Sequence, residues 1–232
     1  MKPNVICHMI ASLDGSLHPS RCTTSPDGSR AEWSEIYEEV HRAFEADAWL
    51  VGRVTMAEMS KAGPHAPMQY SAVKRPYHFA RRGPGPYAVA LDPSGKLHFA
   101  KAEINGDHVV VLLGRDVPDS HLAELASDGV SYIVAEAASI DLAATLDVLG
   151  RELGIHRLLL EGGATINGAF FAAGLVDELS LLLAPIVEGR FGVQSFVEFG
   201  EIGLAGKVQL SLRSCETLAS GLVHLRYAVT PC

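Results

Sequence analysis

Short apolar runs alternate along most of the chain with segments whose apolar residues recur at helical spacing. Apolar runs that stop at Gly, Asp or Pro are typical of buried strands. They cover residues 5–11, 48–51, 87–91, 108–113, 130–134, 158–160 and 178–185. Helical spacing occurs at residues 34–46, 54–60, 120–128 and 142–153 and from residue 164 onward. Ser34 is the predicted N-cap of the first of these helices.

This alternation predicts an α/β fold with a mostly parallel central sheet flanked by helices. Residues 208–216 and 222–229 read as a final antiparallel strand pair joined near Ser220 and Gly221. A length of 232 residues suits one domain, which we expect to span residues 1–232. Residues 61–86 hold five of the twelve prolines and are predicted to form one long irregular excursion.

The most informative stretch is residues 158–168, LLLEGGATING. A buried strand there delivers a carboxylate, Glu161, and two glycines, Gly162 and Gly163, to the start of a helix. Glycine lets the backbone bend sharply and approach a ligand closely, and free N–H groups in the first helical turn favour anions, phosphate above all. An ordinary tight strand-to-helix turn is the alternative interpretation.

Three further strands end in residues suited to ligand binding. Asp14 follows the first strand, Gly52-Arg53 the second and Gly114-Arg115 a later one. Ligands of α/β sheets gather at the carboxyl ends of parallel strands, and arginine pairs with phosphate through its planar fork. The pattern favours a long anionic cofactor beside a polar heterocycle that contacts Asp14 and Glu161.

Charge and hydropathy narrow the function classes. The net charge of −8, from 27 acidic and 19 basic side chains, opposes nonspecific nucleic-acid binding, so no nucleic-acid partner is expected. The basic cluster Lys74-Arg75 and Arg81-Arg82 reads as a solvated loop. No apolar run is long enough to span a bilayer, and the N-terminus lacks a signal-peptide layout, so a cytoplasmic location without membrane attachment is expected.

The sequence lacks several common motifs. G-x-G-x-x-G, G-x-x-x-x-G-K-[ST], H-E-x-x-H and G-x-S-x-G do not occur where they would carry chemistry. The four cysteines form no C-x-x-C pair, and none of the ten histidines shows ligand spacing, so no metal is expected. Cys7 reads as a small buried strand residue. His8 could face the site, but a hydrogen-bonded core histidine is the favoured interpretation.

Four segments carry a resemblance to a known family: MIASLDGSL (9–17), EEVHRAFEADAWLVGRVTM (38–56), LLLEGGATINGAFFAAGLVDELSLLLAPIVEG (158–189) and the terminal strand pair. The chain resembles the reductase domain at the C-terminal end of bacterial bifunctional riboflavin-synthesis deaminase-reductases, the RibD C-terminal domain. The resemblance covers nearly the whole chain. It implies a dihydrofolate reductase-like fold in a stand-alone member of that family.

The resemblance also implies NADPH as cofactor and hydride transfer to a C=N or C=O carbon of a small heterocycle. In the riboflavin pathway the acceptor is C1 of a ribosylamino-pyrimidine phosphate. Asp14 and Glu161 match positions near nicotinamide and substrate, with Asp14 the first candidate for orientation and proton management, and Trp33 matches a residue lining the substrate pocket. The positions that match the cofactor site are Gly52, Arg53, Val54, Thr55, Leu113, Gly114, Arg115, Gly162, Gly163, Ala164 and Thr165. Arg115 is the candidate for the 2′-phosphate, and residues 162–165 for the pyrophosphate.

Two features depart from the family pattern. The H-x-E and P-C-x-x-C zinc signature of the deaminase does not occur, so no deamination is expected. Residues 57–68, AEMSKAGPHAPM, replace a segment that helps to hold the ribose-phosphate substrate in the riboflavin enzymes. This leaves open an alternative function, a paralogue that binds NADPH or a pteridine as a sensor without turnover.

The resemblance implies a homodimer as well. The apolar stretch Leu179–Val187 could form the interface. A buried central strand explains the same stretch equally well, and for Asp14 and Trp33 turn capping and simple packing are the corresponding structural alternatives.

Overall fold

The computed structural model describes residues 1–17, 19–67 and 73–232. The strands are β1 (Asn4–Ser12), β2 (Ala48–Gly52), β3 (Tyr77–His78), β4 (Tyr87–Asp92), β5 (Glu103–Ile104), β6 (Asp107–Leu113), β7 (Ser131–Val134), β8 (Arg157–Leu160), β9 (Glu178–Ala184), β10 (Val208–Thr217) and β11 (Val223–Pro231). The α-helices are α1 (Arg30–Ala43), α2 (Arg53–Ser60), α3 (Asp119–Ser127), α4 (Leu142–Leu153) and α5 (Ala164–Ala172). Two short 3-10 turns lie at Pro19–Arg21 and Ala219–Gly221.

Two compact units make up the chain, one of residues 1–3 and 47–158 and the other of residues 4–46 and 159–232. We call them the first and the second unit. The prediction of a single domain over residues 1–232 stays a prediction.

The sheet of the first unit has the strand order β2-β4-β6-β7-β3. The β2–β4, β4–β6 and β6–β7 pairs are parallel, β3 pairs antiparallel with β7, and β5 pairs antiparallel with β6. Val89 and Val110 are fully buried in the middle of this sheet, as expected for parallel strands that are covered on both faces. The predicted parallel strands of this unit are therefore confirmed.

The sheet of the second unit has the order β10-β11-β9-β1, and residues 159–160 of β8 lie next to β1. The β1–β9 pair is parallel, while β11 pairs antiparallel with both β9 and β10. The predicted C-terminal antiparallel pair is confirmed, and Gly221 lies at its connection with a φ of +72°. Strand β9 is buried and paired on both sides, which favours the central-strand interpretation of residues 179–184; the homodimer stays a prediction.

Helix α1 begins earlier than the pattern predicted. Its N-cap is Ser29, whose hydroxyl accepts from the Glu32 N–H while the Glu32 carboxylate accepts from the Ser29 N–H at 2.8 Å. This reciprocal capping box satisfies two backbone N–H groups at the helix start. Ser34 therefore lies inside α1, and the prediction of Ser34 as N-cap is wrong. Trp33 from α1 packs against Leu182 of β9 and Leu222 and thereby fixes the helix on its sheet.

The segment predicted as an irregular excursion contains one element of regular structure, β3, which pairs with Ile133 and Tyr132 of β7. Part of that excursion, residues 68–72, lies outside the described residues. Within the described ranges, no helix combines the length and apolarity that crossing a membrane requires.

Candidate active site

Glu161 lies directly after β8, at the point predicted from the sequence. A cis peptide bond joins the next two residues, Gly162 and Gly163, and α5 begins at Ala164. Gly162 has a φ of +103°, and a Cβ built on it would lie 3.3 Å from the Met9 methyl carbon of β1. Both the backbone conformation and the neighbouring side chain therefore favour glycine here, and the turn holds Glu161 in a fixed place.

Two side chains of α1 contact the Glu161 carboxylate. His41 Nδ1 lies 2.7 Å from Glu161 Oε1, and the Tyr37 hydroxyl lies 2.9 Å from the same oxygen. Tyr37 and His41 are four residues apart, so one helical face presents both of them to the strand end. The carboxylate is nearly buried, with 11% of its side chain exposed, whereas His41 is 24% exposed and reaches solvent.

The Tyr37 hydroxyl also lies 3.1 Å from the backbone oxygen of His8. A hydroxyl has one hydrogen, so it donates to either Glu161 or His8 at any moment. Burial first, and then the neighbouring Glu161 charge, raises the pKa of Tyr37 well above its usual value. Tyr37 therefore keeps its hydroxyl proton. When Glu161 is ionised, Tyr37 can donate to it, and when Glu161 is protonated, the Tyr37 oxygen can accept from the carboxyl while its O–H donates to the His8 oxygen.

His8 is a hydrogen-bonded core histidine, as the sequence favoured. Its Nδ1 lies 3.0 Å from the Ser180 hydroxyl, which in turn lies 2.8 Å from His224 Nε2. Its ring stacks on Tyr37 with 4.3 Å between centroids. Burial lowers the pKa of His8 to about 3, so the ring that packs against Tyr37 is neutral. Cys7 is likewise buried in β1, as predicted.

Asp14 lies beyond the end of β1 and makes a separate set of contacts. Its carboxylate accepts from the Ser12 hydroxyl at 2.5 Å and from the backbone N–H groups of Glu188 and Gly189 at 3.1 and 2.7 Å. These hydrogen bonds, that of Ser12 first, lower the pKa of Asp14 to about 2. Asp14 is ionised at neutral pH and holds the turn after β9, so these contacts favour its structural interpretation over proton management.

Trp33 both packs in the core and lines a pocket. Its indole N–H donates to the Ser220 backbone oxygen at 2.8 Å. A mainly apolar pocket of about 150 Å³ lies beside it. The lining residues include Ile10, Ser12, Ser16, Arg30, Trp33 and Ile186. Trp33 therefore packs in the core of the second unit and also borders a pocket, while its contact with a substrate stays a prediction.

The first turn of α5 begins beside open space. No side chain caps it, since Gly163 is the N-cap, and a Cβ built on Gly163 would meet no atom within 4 Å. The protein's own packing does not require glycine at this position. Ala164 is buried and Thr165 exposed, so the first turn presents backbone donors beside open space, which suits a phosphate group.

In the first unit, the other predicted cofactor residues follow two parallel strands, β2 and β6, which lie on either side of β4. Gly52 is in register with Leu91, and Asp92 with Leu113, so the ends of β2, β4 and β6 form one edge. Gly52 is the N-cap of α2 and has no side-chain hydrogen bond there. This edge therefore brings Gly52 and Arg53 into the same region as Leu113 and Gly114.

Gly114 has a structural reason to be glycine. A Cβ on it would lie 2.5 Å from the Pro93 backbone oxygen, closer than packing allows. Arg53 and Val54 are exposed and Thr55 is half-buried at the start of α2. The Arg115 side chain is 59% exposed, with Nε 3.1 Å from Asp116. Both arginines can therefore reach an anion in solvent.

Sequence reasoning missed Tyr37, His41 and Asp92. Tyr37 and His41 both lie in the stretch with helical spacing, residues 34–46, and their separation of four residues is the signal that could have found them. Asp92 is fully buried at the end of β4, where it accepts from the backbone N–H groups of Lys96 and Leu97 at 2.5 and 2.7 Å. Asp92 thereby shapes the turn after β4, the strand that lies between β2 and β6.

Comparison with known proteins gives a consistent result. The family model of the RibD C-terminal domain matches residues 3–224. A protein of Methanothermobacter thermautotrophicus named 2,5-diamino-6-ribosylamino-4(3H)-pyrimidinone 5′-phosphate reductase is 28% identical over 96% of this chain and 97% of its own length. A protein of Archaeoglobus fulgidus with the same name is 26% identical over 82% of this chain and 83% of its own length.

Among solved structures, a pyrimidine reductase-like protein from Corynebacterium diphtheriae has a TM-score of 0.71 at 22% identity, covering 99% of this chain and 93% of its own. RibD from Acinetobacter baumannii has a TM-score of 0.66 at 22% identity, covering 99% of this chain and 58% of its own. These similarities confirm the predicted α/β fold class with its C-terminal antiparallel strand pair.

Proposed function

The chain belongs to the RibD C-terminal domain family, and from this premise we propose that it is a nicotinamide-dependent reductase of a ribosylamino-pyrimidine 5′-phosphate. The name shared by its full-length archaeal relatives supports this substrate class. The structural observation that carries the proposal is the Glu161 carboxylate, held by Tyr37 and His41 beside the open start of α5.

We propose NADPH as the cofactor. Backbone donors at two helix starts without side-chain caps, Gly163 of α5 and Gly52 of α2, fit phosphate groups. The exposed guanidinium of Arg115 suits a 2′-phosphate, and that of Arg53 a second anionic group. Val54, Thr55, Leu113, Gly114, Gly162, Ala164 and Thr165 remain proposed contacts. NADPH, when bound, supplies the hydride that the reaction needs.

The pocket beside Trp33 is the proposed place for the substrate in the second unit. Its lining is mainly apolar, which suits a heterocycle, and the described residues that line it include Arg30. The Arg30 guanidinium would pair with the 5′-phosphate of the substrate. Asp14 has a pKa of about 2, so its carboxylate is ionised at neutral pH and has no proton to donate. Its role in this account is to hold residues 188 and 189 in place by accepting their N–H groups.

Reduction of the ribosylamino group needs a proton as well as a hydride. Glu161 is our candidate for holding that proton near the acceptor, since Tyr37 can hydrogen-bond to both its ionised and its protonated form. His41 bridges the nearly buried carboxylate and solvent, so it can replace a proton that Glu161 has lost. Tyr37 and His41 act in this account as positioning residues.

The sensor alternative predicts binding without turnover, and the reductase names of the relatives do not favour it. The test is to measure NADPH consumption by the purified chain with each of two candidate substrates. They are 2,5-diamino-6-ribosylamino-4(3H)-pyrimidinone 5′-phosphate and 5-amino-6-(5-phosphoribosylamino)uracil. We expect loss of nicotinamide absorbance with at least one of them, together with a ribityl product. Tight NADPH binding without oxidation in the presence of either substrate would establish the sensor instead.

A further inference from the structure

One face of α3 in the first unit carries three potential metal ligands. His121, Glu124 and Asp128 follow a spacing of three and then four residues, so they lie on the same side of the helix and its C-cap. His121 and Glu124 are each only 6% exposed, and the Asp128 side chain is 7% exposed. Buried charged groups are generally paired with one another or coordinate a metal ion.

Two more histidines reach this face from other segments. His98, between β4 and β5, places Nδ1 2.6 Å from Glu124 Oε1. His65, between α2 and β3, places Nδ1 3.3 Å from the same oxygen and Nε2 3.0 Å from Asp128 Oδ1. Glu124 is thus the centre of the cluster. One ligand atom from each of His98, His121 and Glu124 lies within 4.8 Å of the others.

Hydrogen bonds inside the cluster leave two buried atoms unexplained. His121 Nε2 and Asp128 Oδ2 are buried without a hydrogen-bond partner among the described residues. A buried polar atom without a partner costs free energy, and both of these atoms belong to residues of the cluster.

We propose that His98, His121 and Glu124 bind a divalent transition-metal ion, Zn²⁺ in the first place. Two imidazoles and one carboxylate are a ligand set that Zn²⁺ favours, whereas Mg²⁺ and Ca²⁺ prefer oxygen ligands. Ligand atoms around tetrahedral zinc lie about 3.3 Å apart, so the 2.6 Å contact of His98 with Glu124 opens slightly when the ion enters.

The surroundings supply the remaining parts of such a site. His65 Nδ1 lies 3.3 Å from Glu124 Oε1 and 3.2 Å from the Gly63 backbone oxygen, so His65 would give up the Gly63 contact to become a fourth ligand. Its Nε2 faces the Asp128 carboxylate, the arrangement that orients and strengthens a metal-bound histidine. The sequence predicted no metal because these histidines lack ligand spacing along the chain; the fold brings them together from positions 65, 98 and 121.

The experiment uses the full chain without an affinity tag, since a histidine tag would bind the same ions. After treatment with a chelator, the protein is titrated with Co²⁺ followed by visible absorption, and with Zn²⁺ by calorimetry. We expect one ion per chain, tetrahedral Co²⁺ bands and a higher melting temperature with Zn²⁺. Because ions need deprotonated imidazoles, the affinity falls as the pH is lowered through the range where histidine titrates.

His121→Ala should weaken Zn²⁺ binding by at least about 100-fold, since removing even an outer partner of a metal ligand costs 10- to 100-fold. His156→Ala removes an exposed histidine of the same unit and should leave binding unchanged. In case His121→Ala does not fold, Zn²⁺ titration of the wild-type chain with ¹⁵N-labelled histidine supplies a second readout. The imidazole nitrogens of His98 and His121 should shift first.

Absence of binding at millimolar Zn²⁺ would overturn the proposal, as would full retention of binding in His121→Ala. The same holds if the imidazole shifts fall on other histidines. None of the five cluster residues belongs to the proposed reductase site, so binding of the ion and reductase activity can each fail without the other.

Discussion

His41 Nδ1 lies 2.7 Å from Glu161 Oε1, joining the middle of α1 to the residue that ends β8. The same carboxylate oxygen is 2.9 Å from the Tyr37 hydroxyl. A nearly buried carboxylate needs such partners to remain in place. The second unit thus contains a carboxylate held by two side chains, one of which, His41, is itself 24% exposed.

Replacing Glu161 by Gln tests its role in proton transfer. The amide keeps the size of the side chain but cannot deliver a proton. We expect kcat to fall by about 100- to 10,000-fold, the range typical of general acid–base catalysis. NADPH affinity, measured by cofactor fluorescence, should remain within a few-fold of wild type. Equal losses in kcat and in NADPH affinity would contradict this assignment.

Tyr37→Phe removes one of the two hydrogen bonds to Glu161 and leaves that of His41. We expect kcat to fall by about 10-fold with the KM for NADPH unchanged, because the carboxylate is less well held. Tyr227→Phe, a tyrosine of β11 in the same unit, is the matched control and should keep full activity. A rise in KM with unchanged kcat would instead indicate that Tyr37 contributes to binding alone.

Arg115→Ala tests the proposed 2′-phosphate contact. Loss of a guanidinium that pairs with this group should weaken NADPH by about 10-fold or more and leave NADH affinity unchanged. Arg81→Ala, which removes another arginine of the first unit, serves as control. Equal weakening of both nucleotides would place Arg115 elsewhere on the cofactor, and no change in either would remove it from the site.

Asp14 gives the protein a stability that depends on pH. Its pKa is depressed from 3.8 to about 2 by Ser12 and by the N–H groups of Gly189 and Glu188, so folding favours the ionised form. This contribution is fully present above the unfolded pKa and is lost as the pH falls from about 4 to about 2. Urea unfolding of Asp14→Asn should show a deficit at pH 7 that shrinks toward pH 2.

A deficit of the Asp14 variant that stays constant over this whole pH range would show that its charge is not the stabilising feature. Activity measured at neutral pH should still fall, because the turn at residues 188 and 189 loses its anchor.

The start of α1 can be tested by a matched pair of serines. Ser29→Ala removes a capping box and should lower the free energy of unfolding by about 1 kcal/mol. Ser34→Ala changes a residue inside the helix and should have little effect or stabilise slightly. Comparable losses from both variants in urea unfolding would contradict the cap at Ser29.

Local patterns predicted much of this architecture. The stretch LLLEGGATING placed β8, Glu161, the glycine turn and α5, because a buried strand, a backbone bend and a helix start each have a local signature. The cap of α1 was misplaced because both serines precede acidic residues, and only the hydrogen bonds of Ser29 with Glu32 distinguish them.

The partners of the site residues were harder to predict. Tyr37 and His41 meet Glu161 from 124 and 120 residues away, and Asp14 meets residues 188 and 189 across a parallel strand pair. The residues next to Asp14 do not show that its carboxylate also accepts from two backbone N–H groups, those of Glu188 and Gly189. Sequence patterns located the strand ends, whereas the chemistry of each carboxylate depends on tertiary contacts.

The central claim is hydride transfer, and transfer of deuterium tests it most directly. The purified chain would be given NADPH deuterated at the transferred position and, in separate reactions, each of the two candidate substrates, with the product analysed by mass spectrometry. The account predicts one deuterium at C1 of a newly formed ribityl chain from at least one substrate, and formation at least about 100-fold slower with Glu161→Gln. Recovery of both substrates unchanged while NADPH is demonstrably bound would contradict it.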